Sequence, residues 1–306
     1  MKNKELLGNI ILLITAIIWG TAFVAQRVGM DDIEPLTFNA VRMWLAAAAV
    51  SGLSLVLWKL DPGNTSELRA DQKKAYNRNT IIGGICCGFF LCFGSILQQM
   101  GLVYTTAGKA GFITAMYILL VPVISSVFFK KKNSWIVWLA VAMGIVGLYL
   151  LCITDSLKLT HGDLLICISA LFFTGHILSC DYFSKTGNPI RISAIQFTTV
   201  AAISSVAALI TEKPGIEKII LALFPIVYCG LISGGLGYTM QLVGQKYTKP
   251  TSAALIMSLE AVFAVISGSI LLHERMTQRE LAGCIIMFAA IIIVQLPVPD
   301  NLSKNN

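Results

Sequence analysis

AALIMSLEAVFAVISGSILLHERMTQREL, residues 253–281, opens with an apolar run, residues 253–272, that holds a single carboxylate, Glu260, near its middle. A charged turn, His273-Glu274-Arg275, follows, and a second apolar run opens at Leu281. About 20 apolar residues in a helix cross a hydrocarbon core of ~30 Å. A Glu at that depth is costly and marks a functional site by default. The stretch also has a double earlier in the chain.

Composition sets the class. Of 306 residues 56% are hydrophobic and only 13% charged, with a mean hydropathy of +0.76. Soluble domains carry about 25% charged residues, so the chain reads as a polytopic membrane protein. Its net charge of +7 sits in short gaps between apolar runs. That is the pattern of topology-setting loops and excludes a nucleic-acid groove. All eight cysteines (Cys86, Cys87, Cys92, Cys152, Cys167, Cys180, Cys229 and Cys284) fall within apolar runs and read as small buried hydrophobes. The first run lacks a small-residue cleavage site and reads as a retained span.

Ten spans can be marked: residues 6–26, 36–57, 80–103, 107–129, 134–153, 162–183, 192–210, 219–244, 250–272 and 279–296. Their runs are continuous, with no alternation at period two, so they read as helices rather than barrel strands. Residues 59–79 are polar and read as an exposed loop. With the N-terminus inside, inner segments hold 15 Lys and Arg, outer segments hold 7, and Arg42 lies within a span, which accounts for all 23. The positive-inside rule then places both termini in the cytoplasm. The sequon at Asn64 would be cytoplasmic and unused.

The chain repeats internally. At an offset of 154, Gly8 matches Gly162, Ala16 matches Ala170 and Pro35 matches Pro189. At an offset of 143, Cys86 matches Cys229, Gly94 matches Gly237, Gln98 matches Gln241 and Tyr104 matches Tyr247. Each half has an odd number of spans, so the second enters the membrane from the opposite side, as in inverted-repeat transporters. The expected fold is an all-α integral membrane protein with ten transmembrane helices in two inverted five-helix repeats, residues 6–153 and 162–296.

Four stretches carry a family resemblance. They are Ala16-Ile17-Ile18-Trp19-Gly20-Thr21, Asn39-Ala40-Val41-Arg42, the run from Gly101 to Ala110 (GLVYTTAGKA), and SLEAVFA from Ser258 to Ala264 with Leu272-His273-Glu274-Arg275. In their order across the whole chain these resemble the EamA type of the drug/metabolite transporter superfamily. The resemblance implies ten helices and export of a small metabolite, with amino acids or related amphipathic compounds as the leading class. One departure is Ala261, where the family often has Pro, so the ninth span is expected to be straighter. The equivalent helix of the first repeat keeps Pro122.

No enzyme pattern appears. His161, His176 and His273 lie near different helix ends or depths, and neither H-E-x-x-H nor G-x-S-x-G occurs. Gly234-Gly235-Leu236-Gly237 sits mid-span with no strand before it. No cofactor and no metal are expected.

Several spans carry small or polar stripes at helical spacing. Gly230, Gly234, Gly237, Gln241 and Gly244 mark the eighth, and Gly84, Gly88, Ser95, Gln98 and Gly101 the third. Small residues let membrane helices approach closely, which accounts for the glycines. Gln98, Gln241 and Tyr238 either line a cavity or bond neighbouring helices. Trp19 lies too deep for an interfacial belt and shares a face with Thr15 and Gln26, so it is placed in the cavity. His176 either bonds a neighbouring helix or serves as a substrate contact or proton relay. Lys109 and Asp181 lie near span ends, within snorkelling reach of water.

Arg42 and Glu260 are the deep charges, ~10 Å and ~15 Å below the nearer surface at 1.5 Å per residue. Each costs about 2.5–3.5 kcal/mol at the bilayer centre, so both should face protein or water. Either they serve assembly, by pairing with each other or with backbone carbonyls, or they belong to the translocation site. The candidate substrate contacts are Trp19, Gln98, His176, Tyr238, Gln241 and Glu260, with Arg42 and Glu260 as candidates for proton coupling or charge pairing. Few buried charges argue against a multiply charged solute, and aromatics with amides suit a zwitterionic or partly aromatic one. The reading is a secondary transporter of the inner or plasma membrane, exporting a small molecule by alternating access. Two alternatives stand beside it: a non-transporting structural or regulatory membrane protein, and a drug or amine exporter of the same fold.

Overall fold

In a computed structural model, residues 2–60, 69–129, 135–152, 160–248 and 250–293 are described, and among them every regular element is a helix. The elements run α1 (Lys2–Gly29), α2 (Pro35–Leu60), α3 (Ala70–Leu102), α4 (Ala107–Thr114), α5 (Tyr117–Phe129), α6 (Trp135–Cys152), α7 (His161–Thr186), α8 (Pro189–Thr211), α9 (Ile216–Leu221) and α10 (Leu223–Val227). A π-helical segment (Tyr228–Tyr238) then leads into α11 (Thr239–Tyr247), α12 (Pro250–Ser258), α13 (Glu260–Leu271) and α14 (Gln278–Ile293). Seven helical stretches among the described residues are long and apolar enough to cross a membrane, and Trp138–Gly147 and Ile256–Leu271 are shorter apolar ones.

The polarity is that of a protein dissolved in lipid. Large apolar side chains face outward, among them Leu209, Ile210 and Phe224, which are 72–78% exposed. Thr15, Gln26, Asn39, Arg42, Gln98, His176, Gln241 and Glu260 are buried. A soluble domain is built the other way, whereas a helix in lipid satisfies its own backbone and turns its polar side chains inward. This is a multi-pass membrane protein.

Local chemistry sets many helix ends. Pro35 and Pro189 occupy first-turn positions, where the missing N–H costs nothing. Asn188 caps α8 by accepting from the N–H groups of Ile190 and Arg191, both at 3.1 Å. The cap of α2 comes from 175 residues away: Glu212 accepts from Leu36 N (2.9 Å), Thr37 N (2.7 Å) and Thr37 Oγ1 (2.6 Å). Glu274 likewise accepts from Ala107 N (2.8 Å) and Gly108 N (3.2 Å) at the start of α4. His273, with φ of 53°, takes the left-handed turn just before it. The Lys218 ammonium beside Glu34 holds that carboxyl below the usual carboxylate range.

Four expectations need correction. Residues 70–79 are helical rather than loop: strong helix formers there extend α3, and Arg69 N donates to Gln72 Oε1 at 3.1 Å. Asn64 and its neighbours lie outside the described residues. The ninth span is broken at Leu259 although no proline stands there. Leu259 N bonds Ile256 O at 3.3 Å, an i→i−3 tightening, and the fourth span breaks the same way, with Met116 N on Ile113 O at 3.2 Å. Pro122 lies six residues beyond that break and does not cause it. The eighth span is not a plain α-helix: Gly230, Gly234 and Gly237 fall in the π-helical segment, and Gln241 and Gly244 in α11. Lys109 does not simply snorkel: it pairs with fully buried Asp163 at 2.9 Å, whereas Asp181 pairs with Lys185 one turn on.

α3 packs on α7 and α8, α2 on α8, α6 on α14, and α13 on both α1 and α4. Gly20 fixes the α1–α13 contact, since a Cβ there would sit 2.8 Å from the Glu260 carbonyl oxygen.

Candidate functional site

One cavity lies at the centre of these packings. Its volume is about 40 Å³. All seven candidate residues, Trp19, Arg42, Gln98, His176, Tyr238, Gln241 and Glu260, line it. They arrive from α1, α2, α3, α7, the π-helical segment, α11 and α13.

Trp19 on α1 donates its indole N–H to the Ser233 carbonyl at 3.2 Å. Its ring lies 4.6 Å from that of Tyr238, tilted by 49°. Gly237 makes room for this, because a Cβ there would come within 2.7 Å of Trp19 Nε1. A π-helix turns less per residue than an α-helix, so the segment alters which face of the eighth span Tyr238 occupies. His176 meets Tyr238 edge-on at 5.7 Å. The wall is thus a run of rings with a few polar tips, the usual make-up of a small-molecule site.

The amides and the histidine are held from behind. Gln98 Nε2 donates to Thr114 Oγ1 at 3.0 Å. His176 Nε2 lies 3.0 Å from Gln196 Oε1; an amide oxygen only accepts, so that nitrogen carries the proton. His176 thus bonds a neighbouring helix and also lines the cavity.

Arg42 and Glu260 do not form an ion pair. The ion pairs among the described residues are Arg27–Asp31, Lys109–Asp163, Lys185–Asp181 and Lys218–Glu34. Arg42 is bonded instead to two amides: its Nε and Nη2 donate to Asn39 Oδ1 (3.0 and 2.8 Å), and its Nη1 to Gln26 Oε1 (2.8 Å). Glu260 is 3% exposed. It neighbours Tyr117, yet neither its Oε1 nor the Tyr117 hydroxyl closes a hydrogen bond of ordinary geometry. The Gln241 side-chain oxygen is also without a partner. Buried polar groups without a hydrogen-bond partner cost about 1–3 kcal/mol each. Three of them around one cavity are what a site for a polar guest presents.

Thr114, Tyr117 and Ser233 are lining residues that the sequence reading missed. Tyr117 sits in an apolar run, YILL, with no polar periodicity. One signal could have found it: at the repeat offset of 143 its counterpart is Glu260. Among the described residues no group of three or more His, Cys, Asp or Glu is placed to hold a metal ion.

Comparison with known proteins gives a consistent picture. The model of the EamA-like transporter family matches the chain twice, over residues 6–153 and 160–296. A protein of Archaeoglobus fulgidus named an uncharacterized transporter is 29% identical over 300 residues, covering 96% of this chain and 88% of its own. The Bacillus subtilis transporter YoaV is 23% identical over 296 residues, 95% of this chain and 96% of its own. A solved crystal structure superposes with a TM-score of 0.63 at 15% identity, over 94% of this chain and 96% of that one, and so shares the fold.

Proposed function

Because the chain belongs to the EamA-like transporter family, we propose that it is a secondary active exporter of a small amphipathic metabolite, of the amino-acid kind, working by alternating access in the inner or plasma membrane. The observation that carries this reading is the central cavity, to which both halves contribute. Residues equivalent at the repeat offsets meet there: Trp19 with Phe173, Gln98 with Gln241, and Tyr117 with Glu260. The two helix breaks, at 115–116 and at 259, fall in the same register at offset 143. Two five-helix repeats of opposite orientation account for a site on their shared axis. A rocking of one half against the other then exposes it to each side in turn. Glu260, paired with no cation among the described residues, is the group assigned to proton coupling.

A drug or amine exporter is the second reading, favoured by a carboxyl set among Trp19, Tyr117 and Tyr238, which suits an organic cation. A thermal-shift screen of the purified protein against amino acids, nucleosides, amines and drugs tests both. Stabilisation by a class of solute, lost in Trp19→Ala and Gln241→Ala variants that still fold, supports transport through this cavity. No response to any solute would favour a structural membrane protein instead.

A further inference from the structure

Arg42 has a setting that assembly alone does not explain. A guanidinium has five N–H donors, and three of them go to neutral oxygens, those of Asn39 and Gln26. Both amides are locked in the orientation that aims oxygen at the arginine. Asn39 Nδ2 donates to Ser95 Oγ on α3 (3.2 Å) and Ser204 Oγ on α8 (3.0 Å), so that residue has no hydrogen-bonding capacity left. Gln26 Nε2 donates to the Ala22 carbonyl at 3.2 Å. The Phe38 ring lies below the guanidinium, 5.5 Å from Cζ to its centroid. Cys229 and Tyr238 are the other polar neighbours, and neither is a carboxylate.

The cradle therefore fixes the cation without neutralising it. Arg42 is 4% exposed, and no described carboxylate comes within ion-pairing distance. An uncompensated buried charge is among the costliest groups a protein can hold. A structural arginine would be cheaper with Asp at position 39, where Asn stands. Two N–H groups, one on each terminal nitrogen, have no oxygen acceptor among the described residues and only the Cys229 sulfur beside them, and a carboxylate can take both. Among the described residues Arg42 is also the sole Lys or Arg lining the cavity, too little for a doubly charged phosphate.

We infer that Arg42 is a carboxylate-binding subsite of the cavity, with Asn39 and Gln26 as its positioning residues. This rests on the cavity being the transport site. It assigns the solute's acid end to Arg42 and leaves the Glu260 side for its amino end.

The test uses the full-length protein in detergent and four compounds on one skeleton: 3-phenylpropanoate, phenylalanine, phenylalaninamide and 2-phenylethylamine. The two carboxylates should raise Tm by about 2–4 °C at saturating concentration, and the amide and amine should not. Arg42→Gln should abolish that difference. Asn39→Asp, which supplies a fixed carboxylate to the guanidinium, should raise the Tm of the empty protein and remove the response to acids. If Arg42→Gln does not fold, Asn39→Asp decides alone. The subsite is overturned if the amine and amide match the acids, if neither acid shifts the wild type, or if the acid response survives in either variant. The transport reading is judged separately, on the broader solute screen.

Discussion

Glu260 and Tyr117 are neighbours in the cavity wall, and their difference in chemistry defines what each can do. A carboxyl with no fixed cation can exchange a proton with the cavity, and protonation can then be tied to the change of access. Glu260→Gln keeps the shape and removes the charge. It is expected to preserve folding and solute exchange in vesicles while abolishing uptake driven by a pH gradient; retained gradient-driven uptake would remove Glu260 from coupling. Tyr117→Phe should leave Tm unchanged or raise it, because it deletes a hydroxyl that closes no bond. A fall of several degrees would show a structural bond instead. Arg42, Glu260 and Trp19 were legible in the sequence because deep charge and deep indole are rare enough to stand out. Tyr117 was not, since a phenol in an apolar run carries no periodic signal.

The helices that start at proline or stop at Gly187 follow from local chemistry and can be read from the chain. The breaks at 115–116 and 259 cannot. Ala115, Met116 and Leu259 are ordinary helix residues, so the tightened turns come from the tertiary packing of α4 and α13 rather than from propensity. The π-helical segment is equally silent, because its residues fit an α-helical stripe as well. Long-range caps are a third such feature. Glu212→Ala, which strips the start of α2 of its acceptor, should cost about 1 kcal/mol, measured as a lowered unfolding midpoint; no change would mean that water caps α2 as well. The Glu34–Lys218 contact adds a pH signature. A carboxyl whose pKa is lowered on folding contributes stability above its unfolded pKa and loses it as pH falls through the lowered value. Acidification should therefore destabilise the wild type more than Glu34→Gln, and parallel pH profiles for the two would contradict it.

For the whole molecule, we propose from the charge bias across ten expected spans that both termini are cytoplasmic. Single cysteines placed in residues 61–68 should be shielded from impermeant thiol reagents in intact cells. Cysteines at 213–215 should react, and the reverse result would invert the topology. Composition made the membrane class legible, and the two offsets made the doubling legible, because both are sums over many residues. The shape of the cavity depends on breaks and contacts that no single stretch encodes. The central claim is that a solute crosses through the space shared by Gln98 and Gln241. Its most direct test is solute exchange in proteoliposomes, using a compound that stabilises the purified protein. Gln98→Ala and Gln241→Ala should each fold normally and weaken the apparent affinity about ten-fold, the worth of one lost hydrogen bond. Exchange at wild-type affinity in both variants would contradict the account.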